Sequence, residues 1–208
     1  MSAPAGRHGC EVAAIVLAAG RSSRMGPHSK LLQPIDGSTI IARAAVAAIA
    51  SGANPVIVVT GFEADRVEEA LRGLDVTFAN NPNFDEGMSG SIKTGLLALP
   101  ANSGGAMILL GDMPEVEARD LKLLMDAFEG REAICIPVRD GRRGNPVLWG
   151  ASYFAEMMGL SGDVGAKQLI AKHQAHVTEV PVGSDGIFAD VDTPADLAWL
   201  RSSSVAKP

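Results

Sequence analysis

Two kinds of apolar pattern alternate along this chain. Short, continuously apolar runs at 12–17, 55–60 (PVIVVT), 76–79, 106–110 (AMILL) and 133–138 predict strands. Between them, stretches at 38–51, 63–72, 89–99 and 115–128 place apolar residues every three or four positions and predict helices. The first of these helices opens on a Ser/Thr cap, and the second carries its acidic residues early. Strands without a polar face are buried on both sides, so the predicted class is α/β: a doubly wound, mostly parallel sheet in a single domain. After residue 138 the rhythm breaks into a charged turn at 139–143 and a strand-like 145–149, with helical stretches at 151–159 and 164–173. Late strands follow at 177–182 and 187–191, then a closing helix at 194–201. Residues 1–11 predict a disordered tail, 12–201 the folded domain and 202–208 a C-terminal tail; no repeat or linker divides the chain.

Composition narrows the ligands. The 208 residues are 47% hydrophobic, 20% charged and only 4% aromatic, with a net charge of −6. An acidic chain lacks the general electrostatic footprint of a nucleic-acid binder, so any anion it holds needs local cations, backbone N–H groups or a metal. No apolar stretch reaches the length of a membrane helix, and the N-terminus lacks the basic-then-apolar pattern of a secretory leader. The two cysteines, Cys10 and Cys135, have no metal-ligand spacing and predict reduced thiols in a cytoplasmic protein.

The first strand runs into AAGRSSRMG, a glycine-, hydroxyl- and arginine-bearing loop at the carboxyl edge of the predicted sheet, where ligands of doubly wound folds bind. Ala18, Ala19 and Gly20 let a ligand approach the backbone, Ser22 and Ser23 offer hydroxyls, and Arg24 and Lys30 bring positive charge. The residues alone fit an ordinary βα loop equally well. The chain has neither GxGxxG nor a GK[ST] ending, which excludes a dinucleotide fingerprint and a P-loop.

Carboxylates stand at two strand exits. Asp112 follows AMILL in LLGDMP, where Gly111 permits a tight exit and Pro114 ends the strand; Asp190 and Asp192 lie in ADVDTPAD. Two aspartates converging from distant strands would match the one or two carboxylates that Mg2+ takes. Asp192 also reads as a cap for the last helix, with Asp196 in its first turn. The four histidines suggest no catalytic role: His28 is a loop residue, and His173 and His176 flank a helix end.

LAAGRSSRMG with Lys30, GDMP and DVDTPADL, in this order, resemble the motifs of the MobA-like NTP transferases, a branch of the nucleotide-sugar-synthesising Rossmann-like superfamily. NNPNFDEGMSGSIKTG, GRRGNPVLWG and SGDVGAKQL continue the likeness, which spans 12–200. The resemblance implies a Rossmann-like, nucleotide-diphospho-sugar-transferase type of fold and Mg2+-dependent nucleotidyl transfer. It further implies an NTP site on Leu17, Ala18, Ala19, Gly20, Ser22, Ser23, Arg24 and Lys30, with Asn81, Gly87, Ser89 and Ser91 on the base and ribose. Arg24, Lys30 and Asp112 become the catalytic residues, with Arg21 peripheral; Asp112 and Asp192 become the metal ligands, with Asp190 in reach of the same site. Gly144, Asn145, Pro146, Gly162 and Asp163 become the acceptor side.

The leading expectation is transfer of CMP from CTP to molybdopterin, with transient contact to a molybdoenzyme or its chaperone. Ala19-Gly20 stands where guanylyl-transferring relatives usually carry Gly-Gly, and Asn145 where many cytidylyl-transferring ones carry His. A methylerythritol-phosphate cytidylyltransferase or a sugar-phosphate nucleotidyltransferase is the alternative enzyme. A non-catalytic carrier of the finished cofactor is the alternative from another class.

Overall fold

The computed structural model describes residues 11–21, 29–162 and 166–205, with side chains described as far as Ser202. In chain order the elements are β1 (Val12–Ala18), β2 (Pro34–Ile35), β3 (Ser38–Thr39), α1 (Ile40–Ala50), β4 (Val56–Thr60), α2 (Ala64–Ala70), β5 (Thr77–Asn80) and α3 (Met88–Leu97). They continue with β6 (Gly105–Leu110), α4 (Ala118–Asp126), β7 (Ile134–Arg139), β8 (Arg142–Arg143), β9 (Val147–Gly150), α5 (Phe154–Met157), α6 (Lys167–Lys172), β10 (Val177–Pro181) and α7 (Pro194–Val205).

The main sheet has the order β10-β7-β9-β6-β1-β4-β5, with β8 paired to β7. β1 lies between β4 and β6 and runs parallel to both. Its residues alternate between two cores, as a two-sided strand must. Val12, Ala14, Val16 and Ala18 join the cluster under α1, α4 and α7, whereas Ile15 joins, and Leu17 packs against, the cluster under α3, α5 and α6.

The predicted α/β class and mostly parallel sheet are present, and the departure from parallel pairing has a local cause. β7 leaves through Asp140 (φ 50°) and Gly141 (φ 74°), both left-handed, which is the two-residue turn that joins antiparallel strands. With no crossover helix between β7 and β9, the chain can only return antiparallel. β9 therefore inserts between β6 and β7 and runs against each.

The strand expected at 187–191 does not form. A 3-10 turn, Asp185–Phe188, takes its place, although Ile187 and Val191 are buried as a strand would bury them. An apolar run reports burial, and periodicity over so few residues does not separate a buried strand from a buried coil. The closing helix also runs to Val205, beyond its expected end at 201.

Candidate active site

The carboxyl ends of the central strands are pulled together at Gly111. Its N–H donates to the Leu17 carbonyl at 2.9 Å. A Cβ at Gly111 would stand 2.7 Å from that same oxygen and 2.9 Å from Ile41 Cδ1, so glycine is what lets the exit of β6 close on β1. Asp112 is the next residue, and its side chain is delivered to the sheet edge beside the start of the glycine loop.

Lys30 reaches the same point from a 3-10 turn, Lys30–Leu32. Buried Ser29 caps that turn, its Oγ accepting from Leu31 N at 3.3 Å, while Ser29 N donates to Glu63 Oε2 at 2.6 Å. The Leu31 side chain is 4% exposed, which anchors the turn and leaves Lys30 to project the other way. Its Nζ lies 2.7 Å from Asp112 Oδ2 and 2.8 Å from Asp192 Oδ1. Burial by itself would lower the pKa of this ammonium. The charge and hydrogen bond of Asp112, followed by those of Asp192, outweigh it and raise the pKa above the ordinary lysine value.

Asp192 can take this role because other residues cap α7. Asp196 Oδ2 accepts from Thr193 N at 2.7 Å, from Asp192 N at 3.0 Å and from the Thr193 hydroxyl at 2.8 Å. Thr193 Oγ1 in turn accepts from Asp196 N at 3.3 Å, a reciprocal cap. The cap expected of Asp192 belongs to this Thr193–Asp196 pair. Asp190, expected as an inward strand residue, is exposed on irregular backbone and does not line the cavity beside the triad.

The ion-paired Lys30, Asp112 and Asp192 line a cavity of about 490 Å³. Gly20, Arg21, Phe84, Asp85, Gly87, Met88 and Ser91 line it as well, with Leu17, Ala19, Leu31 and Leu110 completing the lining. Leu17, Ala19, Gly20, Lys30, Gly87, Ser91, Asp112 and Asp192 thus share one hollow. Ala18 does not face it and is packed in the core. Asn81 and Ser89 do not line it either. Asn81 is 3% exposed and stands behind the wall, donating from Nδ2 to Ser91 Oγ at 3.1 Å and accepting from Asn83 N at 3.1 Å. Ser89 N donates to the Gly162 carbonyl at 3.2 Å, which sets Gly162 against the start of α3.

Gly144, Asn145 and Pro146 lie outside the lining. Asn145 N donates to the Ile187 carbonyl at 2.9 Å, and a Cβ on Gly144 would meet that oxygen at 2.6 Å. Ser22, Ser23, Arg24 and Asp163 fall outside the described residues. Arg21, expected to be peripheral, lines the cavity, as do Phe84, Asp85 and Met88 of the NNPNFDEGMSGSIKTG motif, none of which the resemblance names as a contact. The signal for Arg21 is its place directly after Gly20, and the Phe84–Met88 segment reaches the cavity through pairing of β5 beside β4.

The triad also suits a hard divalent cation. Asp112 Oδ1 is buried with no hydrogen-bond partner among the described residues. An unpaired buried acceptor costs on the order of 1–3 kcal/mol, which a coordinated cation would offset. Asp120 Oδ2 is equally unpartnered but lies on α4 away from the cavity, so the orphan atom counts only together with its neighbours. No group of three or more His, Cys, Asp or Glu side chains among the described residues is placed to hold a metal ion. Two carboxylates facing a cavity fit Mg2+, which keeps water and phosphate as its other ligands.

Residues 14–177 match the family described as MobA-like NTP transferase domain. A nucleotidyl transferase from Methanothermobacter thermautotroptrophicus superposes with a TM-score of 0.83 at 27% identity, covering 94% of this chain and 98% of that one. Rv0371c from Mycobacterium tuberculosis H37Rv, in complex with manganese, gives 0.75 at 28% identity over 93% and 99%. The bifunctional protein GlmU of Geobacter metallireducens is 30% identical over 142 residues, 67% of this chain. The match occupies 29% of GlmU, so this chain spans under a third of that relative's length.

Proposed function

The chain belongs to the MobA-like NTP transferase family, and from that premise we propose that it transfers a nucleoside monophosphate from an NTP to a phosphorylated small molecule, releasing pyrophosphate. The observation that carries this reading is Lys30 held between Asp112 and Asp192 in the lining of the cavity. That part of the lining is suited to a metal–triphosphate, and the part formed by Gly87 and Ser91 to a nucleoside.

In this mechanism a terminal phosphate oxygen of the acceptor attacks the α-phosphorus, a new P–O bond forms, and the bond to the β-phosphate oxygen breaks. The attacking oxygen is already ionised at neutral pH, so no side chain has to remove a proton. Lys30 offers its ammonium to the departing pyrophosphate, and Arg24 is assigned the same task from the family motif. Gly111 and the Ser29 turn hold Asp112 and Lys30 in place before substrate arrives, so little reorganisation is needed during transfer. Mg2+ bound by Asp112 and Asp192 would neutralise the polyphosphate and orient the α-phosphorus. The manganese complex of Rv0371c supports a divalent cation in this family.

CTP is the proposed donor and molybdopterin the proposed acceptor, on the Ala19-Gly20 pair and the GRRGNP and SGDVGAKQL motifs. The reaction is assigned to the cytoplasm, and no helix among the described residues is long and apolar enough to cross a membrane. Incubating the protein with Mg2+, molybdopterin and each of CTP, GTP, ATP and UTP, scored for pyrophosphate, tests the assignment. The expected result is release with CTP and its loss in Asp112→Ala. Release with no nucleotide, or full turnover by the variant, overturns it.

A further inference from the structure

Arg21 and Asp85 face each other in the lining of the cavity that Lys30, Asp112 and Asp192 also line. Arg21 Nε donates to Asp85 Oδ1 at 2.7 Å and Nη2 donates to Oδ2 at 3.0 Å, a two-pronged pair. The guanidinium carbon lies 5.5 Å from the Phe62 ring centre and 5.3 Å from that of Phe84. Those rings meet edge to face at 6.2 Å. Behind them the backbone is closely drawn in: Phe62 N donates to the Ala19 carbonyl at 3.0 Å, and a Cβ on Gly61 would stand 2.8 Å from the Cβ atoms of both Ala19 and Phe84.

Stability does not account for this pair. Its side chains are 57% and 62% exposed, and a pair so open to water adds little to folding. Its effect is geometric. It ties Arg21, just past the end of β1, to the segment that runs from Phe84 to Met88, across residues 64 apart in sequence. Both partners line the cavity.

Resting on the nucleotidyl-transfer reading, we propose that the Arg21–Asp85 fork is a bracket that sets the width of the cavity where Gly87 and Ser91 line it for the nucleoside. The two are positioning residues for the nucleoside and do not act on the triphosphate. Loosening the bracket therefore weakens recognition of whatever carries a base and a ribose, and leaves a bare polyphosphate unaffected.

The experiment is calorimetric titration of the full chain, with Mg2+, using CTP, GTP and inorganic tripolyphosphate. Arg21→Gln and Asp85→Asn each weaken the nucleotide that binds wild type by about tenfold, the scale of one charge-assisted pair. Tripolyphosphate affinity stays within about twofold, and the reversed pair Arg21→Glu with Asp85→Arg recovers most of the nucleotide affinity. Both positions are exposed, and matching melting curves for the variants confirm that folding is intact. Unchanged nucleotide affinity, an equal loss for tripolyphosphate, or a loss in Arg21→Gln alone overturns the bracket, the last because Arg21 would then touch the ligand itself. A wild-type chain that binds neither nucleotide removes the parent reading and the bracket with it.

Discussion

The backbone N–H of Val191 donates to the carbonyl oxygen of Asp112 at 3.0 Å. This bond ties two distant segments together at the residue just before Asp192, so the Asp192 carboxylate emerges beside that of Asp112. Lys30 then meets both at once. The geometry of the Lys30–Asp112–Asp192 cluster thus depends on how the irregular 182–192 segment is pressed onto the exit of β6.

Gly186 permits that pressing. A Cβ there would stand 1.9 Å from the Glu115 carbonyl oxygen and 2.5 Å from its carbon, both backbone atoms that cannot swing aside. Gly186→Ala is expected to cost about 1–3 kcal/mol, as overpacking does, and to cut turnover more than its loss of stability explains. Gly183→Ala, whose Cβ would meet only Arg119 Nη2 at 4.0 Å, is the control and is expected to leave both near wild type. Urea unfolding and pyrophosphate release measure the two effects.

Removing Lys30 leaves two carboxylates facing each other without their shared cation. Lys30→Met is expected to lower turnover by about 10²–10³-fold, the scale for losing a placed positive charge. Its stability loss should be partly relieved by adding Asp112→Asn, which a double-mutant cycle reads as coupling. Because the folded pKa of Lys30 is raised above 10.5, its contribution is fully present below that value and is lost as pH climbs through the raised folded pKa. The stability gap between wild type and Lys30→Met should therefore be flat through neutral pH and narrow only in the alkaline range.

The α7 cap should behave in the opposite sense. Hydrogen bonds from the Thr193 hydroxyl, the Thr193 N–H and the Asp192 N–H hold the Asp196 carboxyl below its ordinary value of 3.8. A depressed carboxyl stabilises above its unfolded pKa and stops doing so as pH falls through the folded one. Asp196→Asn should lower the melting temperature at pH 7, and the gap to wild type should close as the pH drops below 3.8. A gap that persists unchanged in acid would place the effect elsewhere.

Cys135 is fully buried in β7 with its thiol pushed up to about 11 by burial and by the nearby charge of Glu129. The thiolate is the reactive form, so this cysteine should resist alkylation in the folded protein. With Cys10→Ser removing the other thiol, iodoacetamide labelling in native buffer should be negligible and should become rapid in denaturant.

Part of the candidate site could be traced in the sequence because Asp112 and the glycine loop come just after apolar strands. A strand that is apolar throughout must lie inside the sheet, and the residues at its carboxyl end must emerge at an edge; Asp112 after AMILL and Gly20 after VAAIVLA obey this. The same logic failed at 187–191, where burial comes from coil packed under the 3-10 turn and not from a strand. The motif assigns Asn81 to the ligand, and in the structure its Nδ2 donates to Ser91, which lines the cavity. A buried amide and a ligand-facing amide look identical until the fold shows which side is filled.

The order of apolar runs and glycines by itself determined the α/β class, the burial of β1 and β6, and the edge at which Lys30 and Asp112 would appear, because burial of apolar surface is a local demand that each segment states for itself. Only the tertiary structure decided that Thr193 and Asp196 take over the cap and leave the Asp192 carboxylate to Lys30, that β9 turns antiparallel into the sheet, and that Arg21 reaches Asp85. Each of these outcomes is a competition among partners far apart in sequence, settled by which groups the packed backbone brings within about 3 Å, the range of a hydrogen bond.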